Sequence, residues 1–204
     1  MLITLSGLDG AGKSTLTRWL QTTLEARRRP AVVLHMHEDV GVYAMIRAVR
    51  DRLLGRTDGG RKAFGQARYA IVWNKTLRRL IYPLDLLVFL AYRFVVERIQ
   101  RRVLIMDRYF YDTLVDVWDL RRVGWCRLLA RLTPVPDVAV LLDVSPERAF
   151  ARKAERSVDY LRTRGQAYHA VFQRMPSSLV VPNQDLSAAK AAIERAVTAA
   201  MPST

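Results

Sequence analysis

The sequence is poor in cysteine, histidine and acidic side chains, and it holds no long apolar run. Its one cysteine, Cys126, excludes an intramolecular disulfide and fits a reducing, cytoplasmic compartment. Within Trp125-Cys126-Arg127-Leu128-Leu129 it reads as a helix packing position rather than a nucleophile. His35 and His37 would share one face of a strand, but no third ligand clusters with them, so they do not make a metal centre. There are 19 acidic residues against 33 basic ones, 28 of them arginine, for a net charge of +14. That excess permits anionic partners such as nucleotides, nucleic acid or a membrane surface. The arginines are scattered or in short pairs, however, with one triplet at 27–29. The dense basic stripe with interleaved aromatics that favours nucleic acid is missing. The most apolar stretch, 80–92, contains Pro83 and Asp85 and falls short of the ~20 residues of a membrane span, so it reads as a core helix. The first residues read as a strand rather than a secretory leader. Internal repeats, low-complexity tracts and linkers are absent too. The 204 residues therefore suit one domain, 1–204, with at most an inserted lid.

Against these absences, one stretch is rich in information. A short apolar run, Leu2-Ile3-Thr4-Leu5-Ser6, feeds Gly7-Leu8-Asp9-Gly10-Ala11-Gly12-Lys13-Ser14-Thr15, which fits Gly-x4-Gly-Lys-Ser/Thr. Leu16, Trp19, Leu20 and Leu24 follow at helical spacing, so the glycines lie between a strand and a helix. Glycines there let successive N–H groups converge on one phosphate, and the helix adds the positive end of its dipole. Lys13 is then placed for the β- and γ-phosphates and Ser14 for Mg²⁺. The candidate ATP-binding set is Gly7, Asp9, Gly10, Ala11, Gly12, Lys13, Ser14 and Thr15.

The rest of the chain alternates strands with helices. The first helix should run over 13–28 and stop before Pro30, followed by a strand at 31–36 with His37, Glu38 and Asp39 just beyond its end. Residues 43–54 look helical, 55–61 form a loop, and helices are expected over 62–80 and over 83–102, the latter started by Pro83. Val103-Leu104-Ile105-Met106 ends in Asp107, a buried parallel strand with a carboxylate at its active edge. Asp107 is the candidate acid for the Mg²⁺ shell. Asp143 competes for that role, but it leads into Ser145-Pro146-Glu147, an N-cap signature. The segment after it carries Arg148, Arg152, Lys153, Arg156, Arg162 and Arg164. It reads either as a solvated face or as a cationic lid, about 148–165, in which Arg152 and Arg156 are catalytic candidates beside Lys13 and Asp107. A strand at 178–182 and a last helix capped by Asp185 or Ser187 complete a three-layer α/β fold. Its five-stranded, mostly parallel sheet carries helices on both faces.

Four landmarks in this order resemble the thymidylate kinase group of P-loop nucleoside monophosphate kinases over nearly the whole length, most weakly from about 38 to 80. They are the P-loop, Leu90-Ala91-Tyr92-Arg93, Asp107-Arg108-Tyr109, and the run from Pro136-Asp137 through Asp143-Val144-Ser145-Pro146-Glu147. The resemblance implies an ATP- and Mg²⁺-dependent phosphotransferase with a nucleoside monophosphate, dTMP-type acceptor. Asp9 would hydrogen-bond the acceptor sugar, and Arg93 and Arg108 would hold its phosphate. Tyr109 and Asp112 would line the acceptor pocket, and Asn183 would lie near the adenine. Arg152, Lys153 and Arg156 would stabilise the transferring group, the more so because Gly10 stands where some relatives carry an arginine. A homodimer is compatible with this likeness.

The chain departs from the group at Met36-His37-Glu38-Asp39 and at Phe110-Tyr111-Asp112-Thr113-Leu114-Val115-Asp116-Val117. Carboxylates at Asp112 and Asp116 in the acceptor pocket would leave the thymine O4 carbonyl without a donor, which predicts thymidylate to be a poor acceptor. Two other readings remain: a kinase of the same fold acting on a nucleoside, sugar or other small metabolite, and a non-catalytic nucleotide-binding regulatory module.

Overall fold

The computed structural model describes residues 1–36, 75–117, 128, 131–175 and 177–201. Expectations for residues 37–74 and for Cys126 lie outside them, as does the side chain of Asp116. The described chain runs β1 (Leu2–Gly7), α1 (Lys13–Ala26), β2 (Ala31–His35), α2 (Lys75–Phe94, continued by a π-helical turn, Val95–Ile99), β3 (Val103–Asp107), α3 (Phe110–Val117), β4 (Val138–Asp143), α4 (Pro146–Arg152), α5 (Val158–Phe172), β5 (Ser178–Pro182) and α6 (Leu186–Ala200).

The five strands form one sheet in the order β2-β3-β1-β4-β5, and every pairing is parallel. Parallel strands covered on both faces need continuous apolar runs rather than alternation. Accordingly β1 and β3 are buried at every residue, and β4 at all but Asp143. One layer of helices is made by α1 and α6, which meet where Lys190 lies over the Trp19 ring, 5.5 Å from its centroid, and where Arg27 pairs with Glu194. On the other face α2, α3 and α5 close around an aromatic cluster of Phe89, Tyr109, Phe110, Tyr111 and Phe172, with ring centroids 5.0–5.7 Å apart. Edge-to-face contacts of this kind add about 1 kcal/mol each beyond the area they bury. The cluster anchors the segment that follows β3.

Local signals account for most boundaries. Ser145 caps α4, its hydroxyl accepting from the Arg148 N–H at 3.4 Å with Pro146 in the first turn. Ser157 caps α5 in the same way, and Asp185 caps α6. One boundary differs from expectation. Pro83 does not open a helix but lies inside α2 (Lys75–Phe94). Pro83 is exposed, so the hydrogen bond its missing N–H forfeits is lost on the side open to water. Among the described residues, no helix is long and apolar enough to cross a membrane.

The chain leaves β1 towards β2 on one side and later crosses to β4 on the other, so strand order reverses at β1. A crevice opens at the carboxyl ends there.

Candidate active site

The crevice is built first by the loop between β1 and α1. Gly10 and Gly12 have φ of 87° and 89°, left-handed values that side chains resist. A Cβ on Gly10 would meet the Ala149 carbonyl oxygen of α4 at 2.4 Å, and one on Gly12 would meet the Asn183 amide at 2.8 Å. The loop is thus glycine both for its curl and because the α4 backbone and the Asn183 side chain lie against it. Gly12 caps α1 without a side chain, which leaves the first N–H groups of that helix directed at the crevice. Lys13 folds across the loop, and its ammonium donates to the carbonyls of Gly7 at 2.9 Å and Leu8 at 2.8 Å. Burial, reinforced by the nearby Arg108 charge, lowers its pKa to about 8 despite the carboxylates around it.

Beside Lys13, the Ser14 hydroxyl donates to Asp107 Oδ2 at 2.9 Å. This joins the start of α1 to the end of β3. Asp143 ends β4, which flanks β1 on the other side, but its carboxylate sits 3.2 Å from His169 Nε2 and does not line the cavity, so Asp107 is the acid joined to the loop. His35, at the end of β2, brings Nδ1 to 3.5 Å from the same Asp107 oxygen. No group of three or more His, Cys, Asp or Glu able to hold a metal occurs among the described residues. A serine oxygen and one carboxylate, completed by phosphate oxygens and water, is nonetheless a donor set suited to Mg²⁺.

Arg108 follows Asp107 in a left-handed conformation, φ 68°, which turns it from the strand into the crevice. Its guanidinium pairs with Asp9 and lies 3.5 Å from Asp112. Burial opposes its charge, but Asp112, Tyr168 and Asp9 outweigh that and raise its pKa. Burial would likewise raise the Asp9 carboxyl, yet Arg108 and Lys13 hold it below the usual carboxylate range. The resulting cavity has a volume of about 560 Å³. Its floor is Gly10, Gly12, Lys13, Ser14 and Thr15, and its walls are Asp9, His35, Asp107 and Arg108. Arg152 and Lys153, from the end of α4, face it from above. Arg152 reaches the Gly10 carbonyl at 3.4 Å. This is a cationic, amide-lined cleft with one carboxylate–hydroxyl pair, the chemistry of a polyphosphate site.

Comparison with known proteins gives the same answer. The chain is 31% identical to the thymidylate kinase of Chlorobium limicola, with 78% of this chain and 68% of that protein covered. It is 30% identical to a probable thymidylate kinase of Thermococcus kodakarensis, covering 78% and 73%. The thymidylate kinase of Chlorobaculum tepidum is 27% identical, with 92% and 91% covered. No family model matches the chain. The chain belongs to the thymidylate kinase family.

Several residues named from the family's motifs are not where the motifs imply. Arg93 pairs with Glu97 at 2.9 Å and lies 3.8 Å from Asp137, whose carboxylate accepts the Leu2 N–H. That is the amino edge of the sheet, roughly 16 Å from the P-loop by the length of β1, so Arg93 does not reach the cavity. Tyr109 is fully buried, its ring in the aromatic cluster and its hydroxyl bound to the Pro134 carbonyl at 2.6 Å, so it offers the acceptor nothing. Asp112 is 0% exposed and does not face the cavity either. The argument against thymidylate that rested on its carboxylate therefore fails. Asn183 lies against Gly12, but its amide donates to the Ala11 carbonyl at 2.6 Å, bracing the loop rather than facing a base. Arg156 lies over the Tyr160 ring, 5.5 Å from its centroid. Among the described residues, the cations lining the cavity are Lys13, Arg108, Arg152 and Lys153.

Sequence reasoning missed His35 as a wall of the cavity. It also missed Ser6 and Tyr168, whose hydroxyls both hold Asp112 at 2.6 Å. One signal was available for Asp112. It is the third residue of α3, and its carboxylate reaches back to the Tyr109 N–H at 3.0 Å, a capping-box geometry.

Proposed function

We propose that this protein transfers the γ-phosphoryl group of ATP to the phosphate of a thymidylate-type nucleoside monophosphate, giving the diphosphate and ADP. The observation that carries the proposal is the cavity itself, which joins a glycine-built phosphate loop to Arg108 and Asp9 on one wall and to Arg152 and Lys153 above. A nucleotide switch has no need of the second and third groups.

In this reading the loop amides and Lys13 hold the β- and γ-phosphates. Lys13 exchanges the Gly7 and Leu8 carbonyls for phosphate oxygens. Ser14 and Asp107 would hold Mg²⁺, which supplies charge neutralisation between the phosphates when bound. Arg108 holds the acceptor phosphate, and Asp9, displaced from Arg108, accepts from the acceptor sugar. The segment of about 148–165 acts as a lid, bringing Arg152, Lys153 and Arg156 over the transferring group and excluding water. In this reading the transfer is direct, without a covalent enzyme intermediate, so positioning and charge carry the rate.

A homodimer forms part of the proposal. Leu84, Leu87, Val88 and Val95 leave an apolar stripe of α2 and its π-helical turn exposed, which suits a second copy of the chain. ATP dependence and the single cysteine fit a cytoplasmic enzyme.

The test is a single turnover with γ-labelled ATP and excess thymidylate. Label in thymidine diphosphate supports the proposal. Label found only in inorganic phosphate, or retained on the protein, refutes it.

A further inference from the structure

Among the described residues, Asp112 is the acidic side chain with no exposure at all. An ionised carboxylate is kept in such a place only when its lone pairs are filled. Here three hydrogen-bond donors and one guanidinium fill them. The Ser6 hydroxyl of β1 binds Oδ2 at 2.6 Å, and the Tyr109 N–H at the start of α3 binds it at 3.0 Å. The Tyr168 hydroxyl of α5 binds Oδ1 at 2.6 Å, and the Arg108 guanidinium lies 3.5 Å from that oxygen. Both oxygens are thus occupied, and neither is available to a substrate.

The geometry points to Asp112 and Tyr168 as positioning residues that set the Arg108 guanidinium for the acceptor phosphate. The inference rests on the reading of Arg108 as the acceptor-phosphate group. A guanidinium recognises phosphate through a planar fork, so its orientation matters as much as its charge. Arg108 leaves the backbone at a left-handed residue, and its two arms are claimed from opposite sides, by Asp112 behind and Asp9 in front. Asp9 lines the cavity and is free to respond to substrate, whereas Asp112 is immobilised by three donors besides Arg108. The buried carboxylate is therefore the fixed point from which Arg108 is aimed. Tyr168 is the contact that makes this point depend on α5, the helix at the far end of the lid segment. Burial and the Asp112 charge both raise the Tyr168 pKa well above its ordinary value, so the hydroxyl remains a donor at neutral pH.

A merely structural role for Asp112, as the capping residue of α3, predicts something different. Tyr168→Phe separates the two, because it removes one oxygen atom and keeps both the ring beneath Arg164 and the bond from Asp112 to the Tyr109 N–H. The experiment is calorimetric titration of thymidylate, and separately of ATP, into the wild-type protein, Tyr168→Phe, Arg108→Ala and the double variant. Melting temperatures are recorded alongside. Tyr168→Phe is expected to weaken thymidylate about tenfold, equivalent to ~1.4 kcal/mol. ATP affinity should stay within about twofold, and in the Arg108→Ala background the Tyr168→Phe change should cost no more than about twofold. Asp112→Asn should repeat the pattern where it folds. Undiminished loss in the Arg108→Ala background, equal loss of ATP and thymidylate, or no loss at all would each overturn the inference. A wild-type protein that binds ATP but no nucleoside monophosphate removes the reading of Arg108, and this inference with it.

Discussion

Lys13 gives its ammonium hydrogens to two carbonyls of its own loop while burial lowers its pKa to about 8. A group lowered in this way is charged below that pH and loses its proton as pH rises through it. If the charged form is the one that takes ATP, kcat/KM for ATP should be level below pH 8 and then fall, approaching tenfold per unit, because kcat/KM reports the free enzyme. Bound polyphosphate stabilises the charge, so kcat should begin to fall at higher pH. Lys13→Met should lower kcat by about 10²-fold or more with its fold unchanged by circular dichroism. A flat profile from pH 7 to 10 would show that Lys13 does not set ATP capture. At this scale the sequence was most readable where backbone geometry dictates residue type. The loop needs Gly10 and Gly12, and Asp107 follows from the end of a buried strand. Arg93 was not readable. Its local motif is satisfied, but which end of the sheet it occupies depends on how far α2 runs, and α2 runs through Pro83. Asp112 was misread because its partner Tyr168 stands 56 positions away.

The short helix α4 lies against the glycine loop and opens the segment proposed as a lid. Ala149 lies against Gly10, and Arg152 reaches the Gly10 carbonyl from one turn further on. A side chain at position 10 has no room, so in the proposed reaction the cation over this loop would come from α4. Arg152→Ala should accordingly reduce kcat by roughly 10²-fold while changing ATP affinity much less, since a cation engaged on closure acts mainly in the transition state. Equal losses in kcat and affinity would make it a ground-state binding group. Gly10→Ala should destabilise the protein by at least ~2 kcal/mol, from a left-handed backbone together with the contact on Ala149, read as a fall in urea midpoint. At this scale caps and apolar runs predicted the strands and the starts of α4 and α6, because both are local signals. The join of α2 across Pro83 was hidden, because proline opens helices more often than it sits within them.

For the whole molecule, the sheet order gathers the strand-end residues that line the cavity at the carboxyl ends of its strands, and the apolar stripe of α2 is not among its lining. Leu87 is 64% exposed at the middle of that stripe, a poor place for leucine in a monomer. Light scattering should give twice the 23.3 kDa chain mass for the wild type, and Leu87→Glu should give the monomer. A wild-type monomer at ~50 μM would dismiss the dimer, since stable homodimers bind well below that. The alternation of strands and helices announced the fold class, while composition only permitted an anionic ligand, and neither named the acceptor. The most direct measurement is kcat/KM for ATP-dependent ADP release over thymidylate, the other nucleoside monophosphates, nucleosides and sugar phosphates. The account predicts that thymidylate or a thymine-like monophosphate leads, at ~10⁴ M⁻¹s⁻¹ or better. Release that is the same with every monophosphate as with none would contradict it.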